Sequence, residues 1–316
     1  MAYLLLIVGF ILLIKGADFF VDGSSGLAKI FKIPSVIIGL TIVSMGTSAP
    51  EAAVSITSGL AGQNALAISN VVGSNIFNLL VVIGVCAMID KVEADKSIIK
   101  RDLPINVLLS VLLLTLIAFD GILGRIDAAI FLVLFVSYIL WLVLDAMKNR
   151  TEDRDDEKKT PLWLCLIFIV GGLAAIVFGG DMVVDNASKI AKALGMSENL
   201  VGLTIVAVGT SLPELVTSIV ASRKGENEIA LGNAVGSCIF NLIFILGLSG
   251  VLSPITLEST LSENITDIAV LIGTSALFAV ICLAKKGISR NAGIFCVFLY
   301  VVYLAYIIAR NYSVFA

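Results

Sequence analysis

Apolar residues in this chain come in long unbroken runs, punctuated by charged and turn-forming residues, rather than in the alternating or three-to-four spacing of half-buried soluble elements. Ten runs stand out, near residues 3–28, 35–60, 65–88, 103–119, 127–146, 162–189, 199–221, 228–252, 264–283 and 292–310. About 20 apolar residues cross a hydrocarbon core of roughly 30 Å as a helix. A helix also satisfies its own backbone groups without water, so the pattern predicts an all-α membrane protein of ten transmembrane helices. The first run has no basic residue ahead of it and continues past Lys15 to Ile30 without a clear small-residue cleavage site, so it reads as a retained span. Between the fifth and sixth runs, Lys148–Thr160 is rich in charge and poor in apolar side chains. This linker, 148–161, divides the chain into a first half, 1–147, and a second half, 162–316.

The two halves match at one constant offset of 163 residues (209 against 46). Gly16-Ala17-Asp18 meets Gly179-Gly180-Asp181, and Asp22 meets Asp185. Gly39-Leu40-Thr41-Ile42-Val43 meets Gly202-Leu203-Thr204-Ile205-Val206. Gly46-Thr47-Ser48-Ala49-Pro50-Glu51 meets Gly209-Thr210-Ser211-Leu212-Pro213-Glu214, and Gly73-Ser74-Asn75-Ile76-Phe77-Asn78 meets Gly236-Ser237-Cys238-Ile239-Phe240-Asn241. Five spans per half is an odd number, so the second half enters the membrane from the opposite side and the repeat is expected to be inverted. Inverted halves can interchange conformations around a central site, the arrangement of secondary transporters.

Composition narrows the chemistry. With 59% hydrophobic and 14% charged residues and a mean hydropathy of +1.06, the chain lies far from the roughly 25% charge of soluble domains. It contains no histidine, which removes Ser-His-Asp catalysis, zinc-histidine sites and histidine proton relays. No phosphate-binding G-x-x-x-x-G-K-[ST] loop is present. The five cysteines sit in apolar runs without a C-x-x-C pair and read as small buried hydrophobes. Neither an enzyme nor a cofactor is expected, and nothing points to nucleic acid or an obligate protein partner.

The polar residues inside the runs carry the function. Glu51 and Glu214 lie near the middle of the second and seventh spans, where a lone charge costs at least about 2.5–3.5 kcal/mol, so they call for a cation. Residues three and four apart share a helical face, which brings the hydroxyls of Thr47 and Ser48 beside Glu51 and those of Thr210 and Ser211 beside Glu214. Pro50 and Pro213 offer no N–H to the carbonyls of Gly46 and Gly209, which breaks the helices at the midplane. The carbonyls near Ser44 and Ala207 are further candidates. In the third and eighth spans Ser74 with Asn78, and Ser237 with Asn241, again stand four apart. Two carboxylates among hydroxyl, amide and carbonyl oxygens suit Ca²⁺ and Na⁺, whereas soft metals would want sulfur or nitrogen. The site charge of −2 is neutralised by one Ca²⁺ or two Na⁺.

On these residues the chain resembles the calcium/cation antiporter superfamily, specifically the prokaryotic sodium/calcium exchangers, whose two alpha repeats carry G-T-S-x-P-E and G-S-x-x-x-N/D. The resemblance covers both repeats and the ten-span outline. It implies alternating Na⁺ and Ca²⁺ occupancy of sites formed by spans 2, 3, 7 and 8, with spans 1 and 6 moving as a gating pair. Many members carry Asp at one of the positions occupied here by Asn78 and Asn241, and the lower charge bears on ion stoichiometry, potassium dependence and electrogenicity. The alternative reading is Ca²⁺/H⁺ exchange, with each glutamate carrying a proton when calcium leaves. Asp18, Asp22, Asp181 and Asp185 fit a structural or gating role, or one in ion entry, and Lys15 stands near enough to pair with Asp18.

Orientation follows from Lys and Arg. The loops after spans 1, 3, 5, 7 and 9 hold 2, 4, 5, 2 and 3 of them, against 4 in the other loops and the C-terminal segment. The positive-inside rule then puts both termini outside and the linker 148–161 in the cytoplasm. A cysteine introduced at Asn149 is expected to react with a membrane-impermeant thiol reagent only from the cytoplasmic side of oriented vesicles; labelling from the outside would reverse the topology.

Overall fold

The computed structural model describes residues 1–149, 160–196, 201–257 and 261–313. They are overwhelmingly helical: α1 (Ala2–Phe31), α2 (Ser35–Thr47), α3 (Ala49–Leu60), α4 (Leu66–Ile89), α5 (Ile98–Ala118) and α6 (Arg125–Lys148) in the first half. The second half holds α7 (Leu162–Ala193), α8 (202–209), α9 (Leu212–Arg223), α10 (Asn227–Leu252), α11 (Leu261–Lys285) and α12 (Arg290–Ser313). Eight of these are individually long and apolar enough to cross a membrane, and α2 with α3, bent by 49°, forms a ninth, broken span. The predicted run 199–221 corresponds to α8 and α9, with residues 197–200 outside the described set. The predicted linker also falls almost wholly outside it, at residues 150–159.

The fourth run starts earlier than hydropathy alone predicts, because α5 takes in Lys100, Arg101 and Asp102. Arg101 Nε donates to Asp102 Oδ1 at 2.8 Å, and Arg101 Nη1 to Asp145 Oδ2 of α6 at 2.6 Å. The Tyr138 hydroxyl donates to Asp102 at 3.0 Å. Mutual neutralisation lets charged residues enter a helix that a window average would end before them.

Small residues set the closest contacts. Gly9, Gly16 and Gly23 of α1 recur every seven residues and face Gly179, Gly172 and Cys165 of α7 in descending order, so the two helices run antiparallel. A methyl group added at Gly16 would lie 2.8 Å from the Gly172 carbonyl oxygen, and one at Gly172 2.7 Å from that of Gly16. Between apolar helices in lipid, such backbone approach supplies the packing that the hydrophobic effect does not. Two short antiparallel ladders join loops across the halves: β1 (Val92–Glu93) with β4 (Gly287–Ile288), and β2 (Ile122–Leu123) with β3 (Ile255–Thr256). The loops after α4 and α11 therefore lie at one end of the bundle together, as do those after α5 and α10.

The halves share a sequence pattern but not an equal packing. A methyl group on Gly236 of α10 would meet the Leu40 Cα of α2 at 2.8 Å and the Leu40 carbonyl oxygen at 2.9 Å. The same addition at its counterpart, Gly73 of α4, meets nothing within 4 Å among the described residues. Ser44 of α2 is buried, whereas its counterpart Ala207 of α8 is exposed. So α2 is closed over its neighbour and α8 stands off. Gly236→Ala is expected to lower the thermal stability of the purified protein by the equivalent of about 1–3 kcal/mol through overpacking, while Gly73→Ala leaves it unchanged or slightly raised. Equal losses in both variants would contradict the unequal packing.

Candidate functional site

The site lies where two broken spans meet two intact ones. α2 ends at Thr47, Ser48 adopts φ −81° and ψ 8°, and α3 restarts with Pro50 in its first turn. The second half repeats the device: Ser211 sits at φ −92° and ψ 5°, with Pro213 in the first turn of α9. Proline suits that first turn because its missing N–H has no intrahelical acceptor there. Each break delivers a glutamate, Glu51 or Glu214, to the start of a helix, where the N-terminal dipole favours negative charge. Both are completely buried. Opposite them, Asn78 of α4 and Asn241 of α10 each open a wider, π-helical turn, 78–82 and 241–245. Such turns bulge a helix and often mark functional positions.

The cluster interleaves the halves. Ser74 and Ser211 donate to Glu51 Oε1 at 3.2 and 3.0 Å, and their own oxygens are 3.0 Å apart. Ser48 and Ser237 donate to Glu214 Oε1 at 2.8 and 3.4 Å. Ser48 therefore belongs to Glu214 and Ser211 to Glu51, the reverse of what uniform helical spacing predicts. The bend at each serine explains it: once the helix breaks, residues three apart no longer share a face, and the serine turns toward the other half. Thr47 likewise points across, its hydroxyl 2.9 Å from Asn233 Oδ1. The single hydroxyl proton of Ser237 is shared between Glu214 and the carbonyl of Ser44, which is also at 3.4 Å.

Two asparagines absent from the sequence reading support the glutamates. Asn70 Nδ2 donates to the Glu51 carbonyl at 3.3 Å and to Ser55 Oγ at 2.9 Å. Asn233 Nδ2 does the same to the Glu214 carbonyl and Ser218 Oγ, at 3.3 and 2.9 Å. Asn70, Asn233, Ser55 and Ser218 obey the same offset of 163, and that is the signal by which they were detectable.

Within this cluster four buried carboxylate and amide oxygens have no donor among the described residues: Glu51 Oε2, Glu214 Oε2, Asn78 Oδ1 and Asn241 Oδ1. Acceptors left bare in a buried site carry a desolvation cost that a bound cation removes. With the adjoining hydroxyls they make a donor set of hard oxygens carrying two carboxylates. The remaining candidates divide by half. Thr210 Oγ1 has no partner among the described residues, whereas Thr47 has Asn233, and Ala207 is exposed on α8. The second-half break has not closed onto the site as the first-half break has.

Asp18 and Asp22 lie outside this cluster. Lys224, just beyond α9, reaches Asp18 Oδ1 and Asp22 Oδ1 at 2.6 Å each, and Ser25 donates to Glu226 beside it. Partial burial works against the Lys224 ammonium, but the hydrogen bonds and charges of the two aspartates outweigh it and raise its pKa above the ordinary lysine value. Lys15, the partner expected from sequence, is only at 4.0 Å from Asp18. Position 61, the counterpart of Lys224, is alanine, and Asp181 and Asp185 are exposed. One end of α1 is thus tied to the α9–α10 junction by ion pairs that the equivalent end of α7 cannot form with residue 61.

Known proteins resemble this chain in sequence and in fold. A family model described as sodium/calcium exchanger protein matches residues 1–144 and 164–309. Inner membrane protein YrbG of Escherichia coli (strain K12) is 38% identical over 291 residues, 89% of each chain. The sodium/calcium exchanger MaX1 of Methanosarcina acetivorans is 32% identical over 342 residues, covering 96% of this chain and 97% of that one. A structure of the sodium-calcium exchanger NCX_Mj soaked with 10 mM Na⁺ and zero Ca²⁺ superposes with a TM-score of 0.84 at 31% identity, over 96% of this chain and 98% of that one. The exchanger family is one of transporters rather than enzymes, and with its broken spans, paired buried glutamates and apolar helices this multi-pass membrane chain belongs to the sodium/calcium exchanger family.

Proposed function

We propose that this chain exchanges Na⁺ for Ca²⁺ across a cell membrane by alternating access, binding both ions in turn at the Glu51–Glu214 cluster. The observation that carries the reading is the set of four buried, donorless oxygens on Glu51, Glu214, Asn78 and Asn241. Their two formal charges balance one Ca²⁺ or two Na⁺. Ser48, Ser74, Ser211 and Ser237 complete the coordination, and Thr47, Thr210 and the carbonyls at Ser44 and Ala207 lie on the segments whose closure finishes each end of the site.

The architecture that serves this function is ten spans in two inverted five-helix halves, with external termini and a cytoplasmic linker. Three features support it: the offset of 163 that the broken spans share, the antiparallel packing of α1 on α7, and the two ladders that pair loops of matching parity. In that orientation α8 begins at the external face. Its looser packing, with the Lys224 ion pairs at the cytoplasmic face, describes a state open to the outside and shut within. Alternation then amounts to exchanging the roles of α2 and α8.

A second reading, Ca²⁺/H⁺ exchange, is favoured by one feature: both counter-charges to calcium are carboxylates, which can bind protons in place of sodium. Proteoliposomes loaded with Ca²⁺ distinguish the two, since a sodium gradient at constant pH drives flux only in the first case and a pH gradient without sodium only in the second. In the same assay Glu51→Gln and Glu214→Gln are each expected to abolish exchange and weaken Ca²⁺ binding more than a hundredfold, as removal of one charge from a buried pairing costs about 3–5 kcal/mol. Near-normal calcium uptake by both variants would end the paired-carboxylate model.

A further inference from the structure

Within the repeat one position in the densest part of the site is not copied: Asn75 in the first half answers to Cys238 in the second. Both are buried and they touch across the interface between halves. Asn75 Nδ2 donates to the Cys238 carbonyl at 3.0 Å, and the Cys238 thiol approaches the Asn75 carbonyl at 3.6 Å. Because a backbone carbonyl only accepts, the end of the Asn75 amide that faces it must be the NH₂ group. The opposite end, Oδ1, is therefore turned toward Asn241, and it accepts from Asn241 Nδ2 at 3.0 Å. That leaves Asn241 with its own Oδ1 buried and donorless. The orientation of a side chain that is otherwise nearly symmetric in shape is thus dictated, through two hydrogen bonds, by a main-chain group.

Asn78, the counterpart of Asn241, has no such support. The residue that would hold it is the thiol of Cys238, and neither Asn78 Oδ1 nor Asn78 Nδ2 has a hydrogen-bond partner among the described residues. Equivalent positions therefore differ in kind, one amide locked with its oxygen presented and the other free to turn.

We propose that Asn75 is a positioning residue for ion binding, holding the Asn241 amide in the orientation that offers Oδ1, and not the repelling NH₂ group, to the transported cation. The inference rests on the proposed cation site. It makes the two amides of a neutral pair inequivalent: Asn241 serves as a preset oxygen ligand, and Asn78 adapts to the ion that arrives. Residues that orient a ligand in this way typically carry about 10- to 100-fold of metal affinity.

The test is a double-substitution cycle read by equilibrium Ca²⁺ binding to the purified full-length protein in sodium-free buffer, with thermal unfolding measured in parallel. Asn75→Cys copies the residue that the second half already accommodates at the equivalent position, and Asn75→Ala serves as a second variant in case the thiol packs poorly. Either is expected to weaken Ca²⁺ binding about tenfold when Asn241 is present, and less than about twofold in an Asn241→Ala background, where there is no amide left to orient. A purely structural role for Asn75 predicts the same loss in both backgrounds, and that outcome, or unchanged affinity in the Asn241 background, overturns the proposal. If Asn241→Ala alone leaves Ca²⁺ affinity untouched while Glu51→Gln abolishes it, the positioning role falls and the carboxylate site stands. If Glu51→Gln also leaves affinity untouched, the site reading itself fails and the inference with it.

Discussion

Everything in this molecule is arranged around the difficulty of keeping two carboxylates out of water. Glu51 and Glu214 are completely buried, and in a medium of low dielectric constant neither their charge nor their proximity is tolerable without compensation. Each accepts two serine hydroxyls on one oxygen and keeps the other oxygen bare. That division is the physical basis for proposing an ion site here. Complete satisfaction by protein donors would make a stable core; half satisfaction leaves a place whose energy depends on what occupies it.

The backbone serves the same requirement. A continuous helix would keep polar side chains three and four apart on one face. The breaks at Ser48 and Ser211 interrupt that spacing, delivering a glutamate at a helix start and a serine to the opposite half. Because each glutamate is completed by a serine from the other repeat, neither half can form the site alone. The packing that holds the four spans together comes from close backbone approach, as at Gly236 against Leu40, and the glycine contacts between α1 and α7 form a separate pair that spans the bundle.

The unequal packing of equal sequences gives a concrete view of how such a site could be reached from one side at a time. Gly73 and Gly236 are identical residues in matching motifs, yet among the described residues nothing stands within 4 Å of a methyl group added to the first, while the second has a neighbouring helix at contact distance. Thr47 has an asparagine partner and Thr210 none among the same residues. If the two halves exchanged roles these environments would swap, and the ion pairs of Lys224 would be lost without replacement, since alanine at position 61 offers no counterpart.

The sequence by itself determined the solvent, the helical class, the repeat and most of the polar residues that come together in the buried cluster. Those follow from local facts: run length, the offset of 163, and glutamates, serines and asparagines too polar for lipid unless grouped. The same offset relates Asn70 to Asn233, although a single asparagine in a span is unremarkable on its own. Tertiary structure decided which serine meets which glutamate, since the bend at Ser48 and Ser211 cancels the spacing rule that a straight helix obeys. It decided that Arg101 and Asp102 enter a span, because Asp145 and Tyr138 neutralise them from another helix. It decided as well which amide is locked and which half is open, for these depend on contacts between segments far apart in the chain, and identical motifs carry no record of which copy is closed.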